Sequence, residues 1–180
     1  MQKNSHQRIV SIVICGLLIA LGVILMGPLS LPALPFGTYS LNIGFGSLPI
    51  ILSGVLFGPV YGAIVAMLTD LLQVLLFPKG AFMPWFTLSA MFFGLIPGLF
   101  FMKRRKVTFP YLLLAITPGQ LLSSVLLNTF LLVKLYGLPW SLMTLRLMEQ
   151  AIMIPLYAVL IYAIIKLLAR NKILDKFNLM

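Results

Sequence analysis

Polar side chains inside long apolar runs are the residues of this sequence that could do chemistry. The clearest are Asp70, Asn128, Arg146, Glu149 and Gln150, which stand among leucine, isoleucine, methionine and other apolar residues. A polar or charged side chain is costly in hydrocarbon, so it normally faces a protein partner or a water-filled cavity. Together these residues offer carboxylates, amides and a guanidinium, which bind polar solutes through directional hydrogen bonds.

The same sequence gives little support for catalysis. His6 lies in a polar N-terminal segment, and Cys15, inside the first apolar run, is expected to act as a small buried hydrophobe. We find no paired carboxylates, no metal-ligand cluster and no glycine-rich loop for a nucleotide. We therefore expect a protein that is not an enzyme, holds no metal or cofactor, and draws any energy for transport from a partner.

The composition places the chain in a membrane. Of its 180 residues, 61% are hydrophobic and 9% are charged, and the mean hydropathy is +1.10. A bilayer needs about 20 apolar residues per helix. The sequence therefore predicts an all-α integral membrane protein, a single domain over residues 1–180 built as a bundle of six transmembrane helices. Their expected ranges are about 8–26, 48–57, 59–77, 85–102, 110–135 and 141–169.

Two features of these helices are expected from proline and glycine. The second helix is too short to span upright, and a loop rich in proline and glycine precedes it. Pro118 and Pro155 are expected to bend the fifth and sixth helices.

Basic residues set the expected orientation. The net charge is +10, and Lys3, Arg8, the run 103–106 and the basic residues of 166–176 all fall on one side of a six-helix arrangement. Short loops rich in lysine and arginine stay in the cytoplasm. We therefore predict cytoplasmic N and C termini and a multi-pass protein of a bacterial plasma membrane. Because the basic residues stand between apolar runs, nucleic acid is not an expected partner.

The polar side chains are expected to meet at one depth. At about 1.5 Å per residue, Asp70 and Asn128 lie roughly 10 Å below the outer helix ends, Arg146 roughly 8 Å, and Glu149 and Gln150 roughly 12 to 14 Å. Three helices thus contribute to one layer, which predicts a pocket that opens to the outside. The alternative is that Arg146 pairs with Glu149 or Asp70 and that Asn128 bonds only to a neighbouring helix.

Aromatic and basic residues at the outer surface could complete such a pocket. Lys79 and Lys134 could attract an anionic group, or could simply extend to the lipid headgroups. Aromatic rings could stack on a planar ligand, or could form the belt that is usual at a membrane interface. The aromatic residues concerned are Tyr39, Phe82, Trp85 and Phe86.

Small residues in the first helix predict a contact with another helix. Gly16 and Ala20 stand four residues apart, which leaves a smooth groove on one helix face. The groove could receive a partner subunit, or a helix of the same bundle.

Several segments resemble one known family. They are residues 52–63 (LSGVLFGPVYGA), 78–90 (PKGAFMPWFTLSA), 127–129 (LNT) and 146–150 (RLMEQ), together with the Gly16–Ala20 pair. The sequence resembles, over essentially its whole length, the substrate-binding S components of energy-coupling factor (ECF) vitamin transporters, and most of all the folate-specific members. The family usually has Ala-x-x-x-Ala where this chain has Gly16 and Ala20, a mild departure that still allows close helix approach.

The resemblance implies a high-affinity vitamin-capture subunit. Its partners would be a shared transmembrane coupling protein (EcfT type) and two cytoplasmic ATPases (EcfA type), which use ATP. Folate would be the substrate, with its pterin held by Trp85, Phe86, Asn128 and Arg146 and its glutamate carboxylates near Lys79. The alternatives are another vitamin or precursor, such as a pyrimidine, thiazole or flavin, and a membrane scaffold or enzyme that binds no such solute.

Overall fold

The chain folds as a bundle of helices with one small hairpin, seen in a computed structural model. The structure describes residues 2–27, 31–36, 39–78, 83–102, 107–137 and 139–170. In chain order the elements are α1 (Gln2–Met26), β1 (Leu31–Phe36), β2 (Tyr39–Ile43), α2 (Ser47–Phe57), α3 (Pro59–Leu76), α4 (Pro84–Phe101), α5 (Phe109–Gln120), a π-helical segment (Leu121–Asn128), α6 (Thr129–Tyr136) and α7 (Leu142–Arg170).

Five stretches of helix in the described residues are long and apolar enough to cross a membrane. They are Arg8–Met26, Pro59–Leu76, Pro84–Phe101, Phe109–Leu135 and Met143–Arg170. The sixth apolar helix, α2, has 11 residues, so at about 1.5 Å per residue it is too short to span upright. The prediction of a helical membrane bundle is confirmed. The side of the membrane on which the termini lie stays a prediction.

The segment expected to be a loop between the first two helices contains a β-hairpin. β1 and β2 pair antiparallel from Leu31 opposite Ile43 to Phe36 opposite Tyr39, with an irregular register between Ala33 and Pro35. Proline donates no backbone hydrogen bond and is confined to sheet edges and bulges. A two-stranded ribbon consists only of edges, so it accommodates prolines that the sequence analysis took as signs of irregular structure.

Glycines bring the backbones of α2, α3 and α4 together. A Cβ atom on Gly54 or Gly62 would overlap the carbonyl of Gly94, and a Cβ atom on Gly94 would overlap the carbonyl of Gly62. Glycine has no side chain, so it allows the closest approach among the small residues that are common where membrane helices cross. These three helices therefore meet through backbone atoms, with no side chain between them.

The bundle hides some apolar side chains and presents others to its surroundings. Ile50, Leu112 and Ile161 are fully buried, whereas Leu75 and Ile152 are largely exposed. In water such exposure would be unfavourable, but a lipid bilayer solvates these side chains. The outer surface of the bundle is therefore suited to hydrocarbon.

Helix α5 continues through Pro118 and changes its hydrogen-bond pattern just beyond it. The π-helical segment Leu121–Asn128 begins three residues later and leads directly into α6. Proline lacks the N–H that an α-helix needs, and π-helical turns often occur at functional sites. The change of helix type lies where the sequence predicts a bend.

Candidate functional site

A cavity of about 250 Å³ lies inside the bundle, next to the segments that flank the hairpin. Met26 at the end of α1 and Gly44, Gly46 and Ser47 after β2 form one side of it. The remaining wall comes from all the other long helices and the π-helical segment. Those residues are Gln73, Phe93, Gln120, Ser124, Glu149, Gln150 and Tyr157.

Two glutamines of the cavity wall have polar atoms without a partner. Gln120 and Gln150 are 2% and 5% exposed. Within the described part of the chain, Nε2 of Gln120 and Oε1 of Gln150 are buried and form no hydrogen bond. An unpaired buried polar atom costs free energy comparable to a lost hydrogen bond. Both glutamines line the cavity, so a small rotation of either side chain presents this donor or this acceptor to a ligand.

The π-helical segment and α7 are joined by two hydrogen bonds at Ser124. Nη1 of Arg146 donates to the carbonyl oxygen of Ser124 over 3.0 Å, and Nε2 of Gln150 donates to its hydroxyl, also over 3.0 Å. Arg146 does not line the cavity, but its hydrogen bond holds Ser124, which does. Arg146 and Gln150 thus position one wall of the cavity against another.

A second pair of hydrogen bonds holds the π-helical segment against α4. The Ser123 hydroxyl donates to the carbonyl of Ser89 over 2.6 Å, and the two hydroxyl oxygens lie 3.0 Å apart. Both serines are buried. This contact places Ser124, the next residue, beside the cavity.

The last helix is linked to the segment that follows the hairpin. The hydroxyl of Tyr157 donates to the carbonyl oxygen of Gly44 over 2.7 Å. Tyr157 and Gly44 both line the cavity. The bond holds the end of the hairpin segment over the cavity wall.

Asp70 lies outside the cavity wall and connects two helices. Its Oδ2 accepts a hydrogen bond of 2.6 Å from the hydroxyl of Thr87 on α4. Gln73, one turn further along α3, does line the cavity. Asp70 and Arg146 thus bond to different neighbours, and the side chains that face the cavity from α3 and α7 are Gln73, Glu149 and Gln150.

The remaining predicted site residues lie away from the cavity wall or outside the described residues. Trp85 is 60% exposed, Phe86 is half-buried, and neither lines the cavity. Asn128 is half-buried, with an Oδ1 atom that has no partner in the part described. The side chain of Tyr39 and the whole of Lys79 lie outside the described residues, as does Phe82.

Several cavity residues were missed by the sequence analysis although a signal was present. Gln73, Gln120 and Ser124 are polar residues inside apolar spans, so the rule that selected Asn128 would also have selected them. Phe93 and Tyr157 carry no such signal, because only the packing of helices brings them to the cavity.

On α1, Gly16 and Ala20 both lie on the exposed surface. A Cβ atom on Gly16 would meet nothing within 4 Å. Ile12, Val13 and Leu17 are exposed beside them. The small-residue groove therefore faces away from the bundle to which it belongs.

Comparisons with known proteins agree on one family. Residues 10–165 match the family described as "ECF transporter, substrate-specific component". This chain belongs to that family. A relative named folate transporter FolT, from Clostridium novyi, is 39% identical to this S component over 137 residues, 76% of this chain and 79% of the relative.

Two further proteins extend this comparison. A folate transporter FolT from Leuconostoc mesenteroides is 28% identical to this S component over 106 residues, 59% of this chain and 57% of the relative. A solved structure described as FolT bound with folic acid matches with a TM-score of 0.71 and 30% identity, covering 84% of this chain and 90% of that one. The chain is thus a membrane transporter subunit that recognises a substrate, and not an enzyme.

Proposed function

We propose that this S component binds folate and delivers it to an ECF importer. The observation that carries the proposal is the cavity between the helices, whose wall includes an unpaired amide donor on Gln120 and an unpaired amide acceptor on Gln150. Relatives support the proposal, because two of them are named folate transporters and a solved structure of similar fold is described as bound with folic acid. A pterin ring supplies both donors and acceptors, so it can satisfy both amides at once.

The pterin is the part of folate that suits the cavity. A cavity of about 250 Å³ is smaller than the roughly 300–1,000 Å³ usual for a site that encloses a whole drug-sized ligand. It therefore takes the flat ring, with Phe93 as an apolar wall, while the rest of the molecule extends toward the hairpin segment. Lys79, predicted to meet the glutamate carboxylates, and Tyr39 belong to that outer part. Trp85 and Phe86, predicted to hold the pterin, do not line the cavity, so they are assigned instead to the benzoyl group outside it.

Direct binding measurements test this proposal. Native mass spectrometry of the gently purified protein should reveal retained folate by its mass, and calorimetric titration in detergent should give one site per chain. A panel containing a pyrimidine, a thiazole and a flavin provides the comparison, and tighter binding of any of these than of folate would overturn the assignment. Asn128→Ala and Arg146→Ala should both weaken folate binding, Arg146→Ala through the loss of its bond to Ser124.

We also propose that transport requires a transmembrane coupling protein of the EcfT type and two ATPases of the EcfA type. Support comes from family membership and from the exposed groove at Gly16 and Ala20. Close approach of a second helix is favoured where small residues leave the backbone accessible. ATP hydrolysis by the partners then supplies the energy for uptake across the plasma membrane.

A further inference from the structure

Glu149 differs from the other described residues of the cavity wall in its charge. Of the described residues that line it, Glu149 alone carries a charge. Among the described residues its carboxylate accepts no hydrogen bond: Arg146, one turn earlier on α7, attracts it electrostatically but donates its hydrogen bond to the carbonyl of Ser124. A carboxylate held at this depth without a bonded partner is costly, so it is expected to serve a ligand.

The polar groups near Glu149 define what that ligand must bring. Two carboxylate oxygens and Oε1 of Gln150 are acceptors, whereas Nε2 of Gln120 is the unpaired donor. Among the unpaired groups of these three side chains, acceptors therefore outnumber donors. A matching ligand carries adjacent N–H groups on one edge and an acceptor on another, and its ring is flat enough to lie against Phe93.

We propose that Glu149 recognises the 2-amino-4-oxopyrimidine edge of the pterin and is the residue that selects for the 2-amino group. On that edge the exocyclic amino group and the ring N–H lie side by side, so they can donate in parallel to the two carboxylate oxygens, as a guanidinium does. The inference rests on the proposed folate function and specifies which group of the ligand the protein recognises.

The same arrangement rejects rings that lack the amino group. A carbonyl at that position would place an acceptor against one carboxylate oxygen, and a methyl group would leave that oxygen unpaired, because only the ring N–H would remain to donate. Sites with buried polar groups discriminate strongly against analogues that cannot pair with them. Flavins, which carry an oxygen at the corresponding position, should therefore be excluded.

A comparison of two ligands and two proteins tests the role of Glu149. The ligands are folate and its analogue with a methyl group in place of the 2-amino group, titrated calorimetrically into the full chain in detergent. In the wild-type protein the analogue should bind about 10- to 100-fold more weakly, the effect expected for a charge-assisted hydrogen bond. In Glu149→Gln the ratio of the two affinities should fall to within about threefold of one, because folate loses the bond from its amino group to the carboxylate, a bond that the analogue never makes.

Control variants separate recognition from a general loss of structure. Asp70→Asn makes the same chemical change at a carboxylate that accepts from Thr87 and does not line the cavity, so the ratio between the ligands should remain that of the wild type. If Glu149→Gln binds neither ligand, Glu149→Asp decides, because a shortened carboxylate should retain a preference for folate.

The outcomes also distinguish this inference from the proposed function. Folate binding by the wild type with an unchanged ligand ratio in Glu149→Gln, or a Glu149→Asp variant that binds both ligands equally, overturns the inference and leaves the proposed function intact. A wild-type protein that binds no folate overturns both.

Discussion

At the scale of single residues, the cavity is built from groups that are only partly satisfied by the protein. Ser124 receives bonds from both Arg146 and Gln150, yet Oε1 of Gln150 and Nε2 of Gln120 are left without partners in the described chain. Such atoms destabilise the empty protein and become favourable when a ligand pairs with them. Binding and stability should therefore respond in opposite directions to substitutions at these positions.

Gln120→Leu tests this opposition. Leucine has a similar size and removes a buried amide whose Nε2 has no partner, so the thermal midpoint in detergent should remain equal or rise. Folate affinity should fall roughly 5- to 100-fold, the cost of leaving a ligand acceptor unpaired. Thermal unfolding and calorimetric titration of the same preparation provide both values. Unchanged affinity would show that Gln120 does not contact the ligand.

At the scale of elements, the helices contact one another in two different ways. α2, α3 and α4 meet through the backbones of Gly54, Gly62 and Gly94. The π-helical segment is held instead by side-chain hydrogen bonds, to α4 through Ser123 and to α7 through Ser124. The first contact depends on the absence of side chains, whereas the second depends on specific hydroxyl and amide groups.

Alanine substitutions at two glycines should separate a buried helix crossing from an exposed groove. Gly94→Ala places a Cβ atom against the carbonyl of Gly62, so it should lower the thermal midpoint strongly or prevent folding, since overpacking costs about 1–3 kcal/mol or more. Gly16→Ala is the matched control, because a Cβ atom there meets nothing within 4 Å. Fluorescence-detected size exclusion after heating measures both. Equal stability of the two variants would contradict the close crossing.

Removal of the serine contact should loosen the π-helical segment. Ser123→Ala deletes the donor to the Ser89 carbonyl and should cost about 1 kcal/mol, near the usual range for hydrogen bonds between membrane helices. Ser53→Ala is the control, because that buried hydroxyl bonds to Ile50 within its own helix. A cycle with Ser89→Ala should show that the two losses are not additive. Additive losses would mean that the serines act independently.

Helices were predictable from the sequence because their signals are local. Long apolar runs interrupted by proline and glycine indicated all the apolar helices, and the structure begins α3 at Pro59 and α4 at Pro84. The hairpin was not predicted, because Pro32 and Pro35 have the same local character in a loop and in a sheet edge. Nor does a local signal reveal at which glycines two helices cross.

The site was only partly predictable, for a related reason. Glu149 and Gln150 were found because polar groups in an apolar span are costly, and both line the cavity. Arg146 and Asp70 were found by the same rule, yet neither lines the cavity: Arg146 bonds to the carbonyl of Ser124, and Asp70 bonds to Thr87. Depth along a helix is readable from sequence, whereas the direction of a side chain around the helix axis depends on packing with other helices.

At the scale of the whole molecule, the described surface combines a lipid-facing exterior with a smooth groove on α1. Exposed residues such as Leu75, Met148 and Ile152 suit hydrocarbon. The groove on α1 differs, because Gly16 and Ala20 are too small to fill the space between flanking side chains. The coupling protein proposed above would make its closest contact at this groove.

Ala20→Leu should separate substrate binding from transport. The larger side chain fills the groove, so co-purification with the coupling protein and uptake of labelled folate should fall at least about tenfold, whereas folate affinity of the isolated chain stays the same. Ala151→Leu makes the same change at an exposed position of α7 and should leave assembly intact. Normal assembly of Ala20→Leu would place the docking surface elsewhere.

The contribution of α7 to the cavity also has a consequence for biosynthesis. Glu149, Gln150 and Tyr157 form one wall, and Tyr157 reaches back across 113 positions to the carbonyl of Gly44. Because a ribosome makes the chain from its first residue onward, a nascent molecule has no complete cavity until α7 is inserted. Vitamin present during synthesis would therefore bind and stabilise only finished copies, and would help them to escape the proteases that remove incomplete ones.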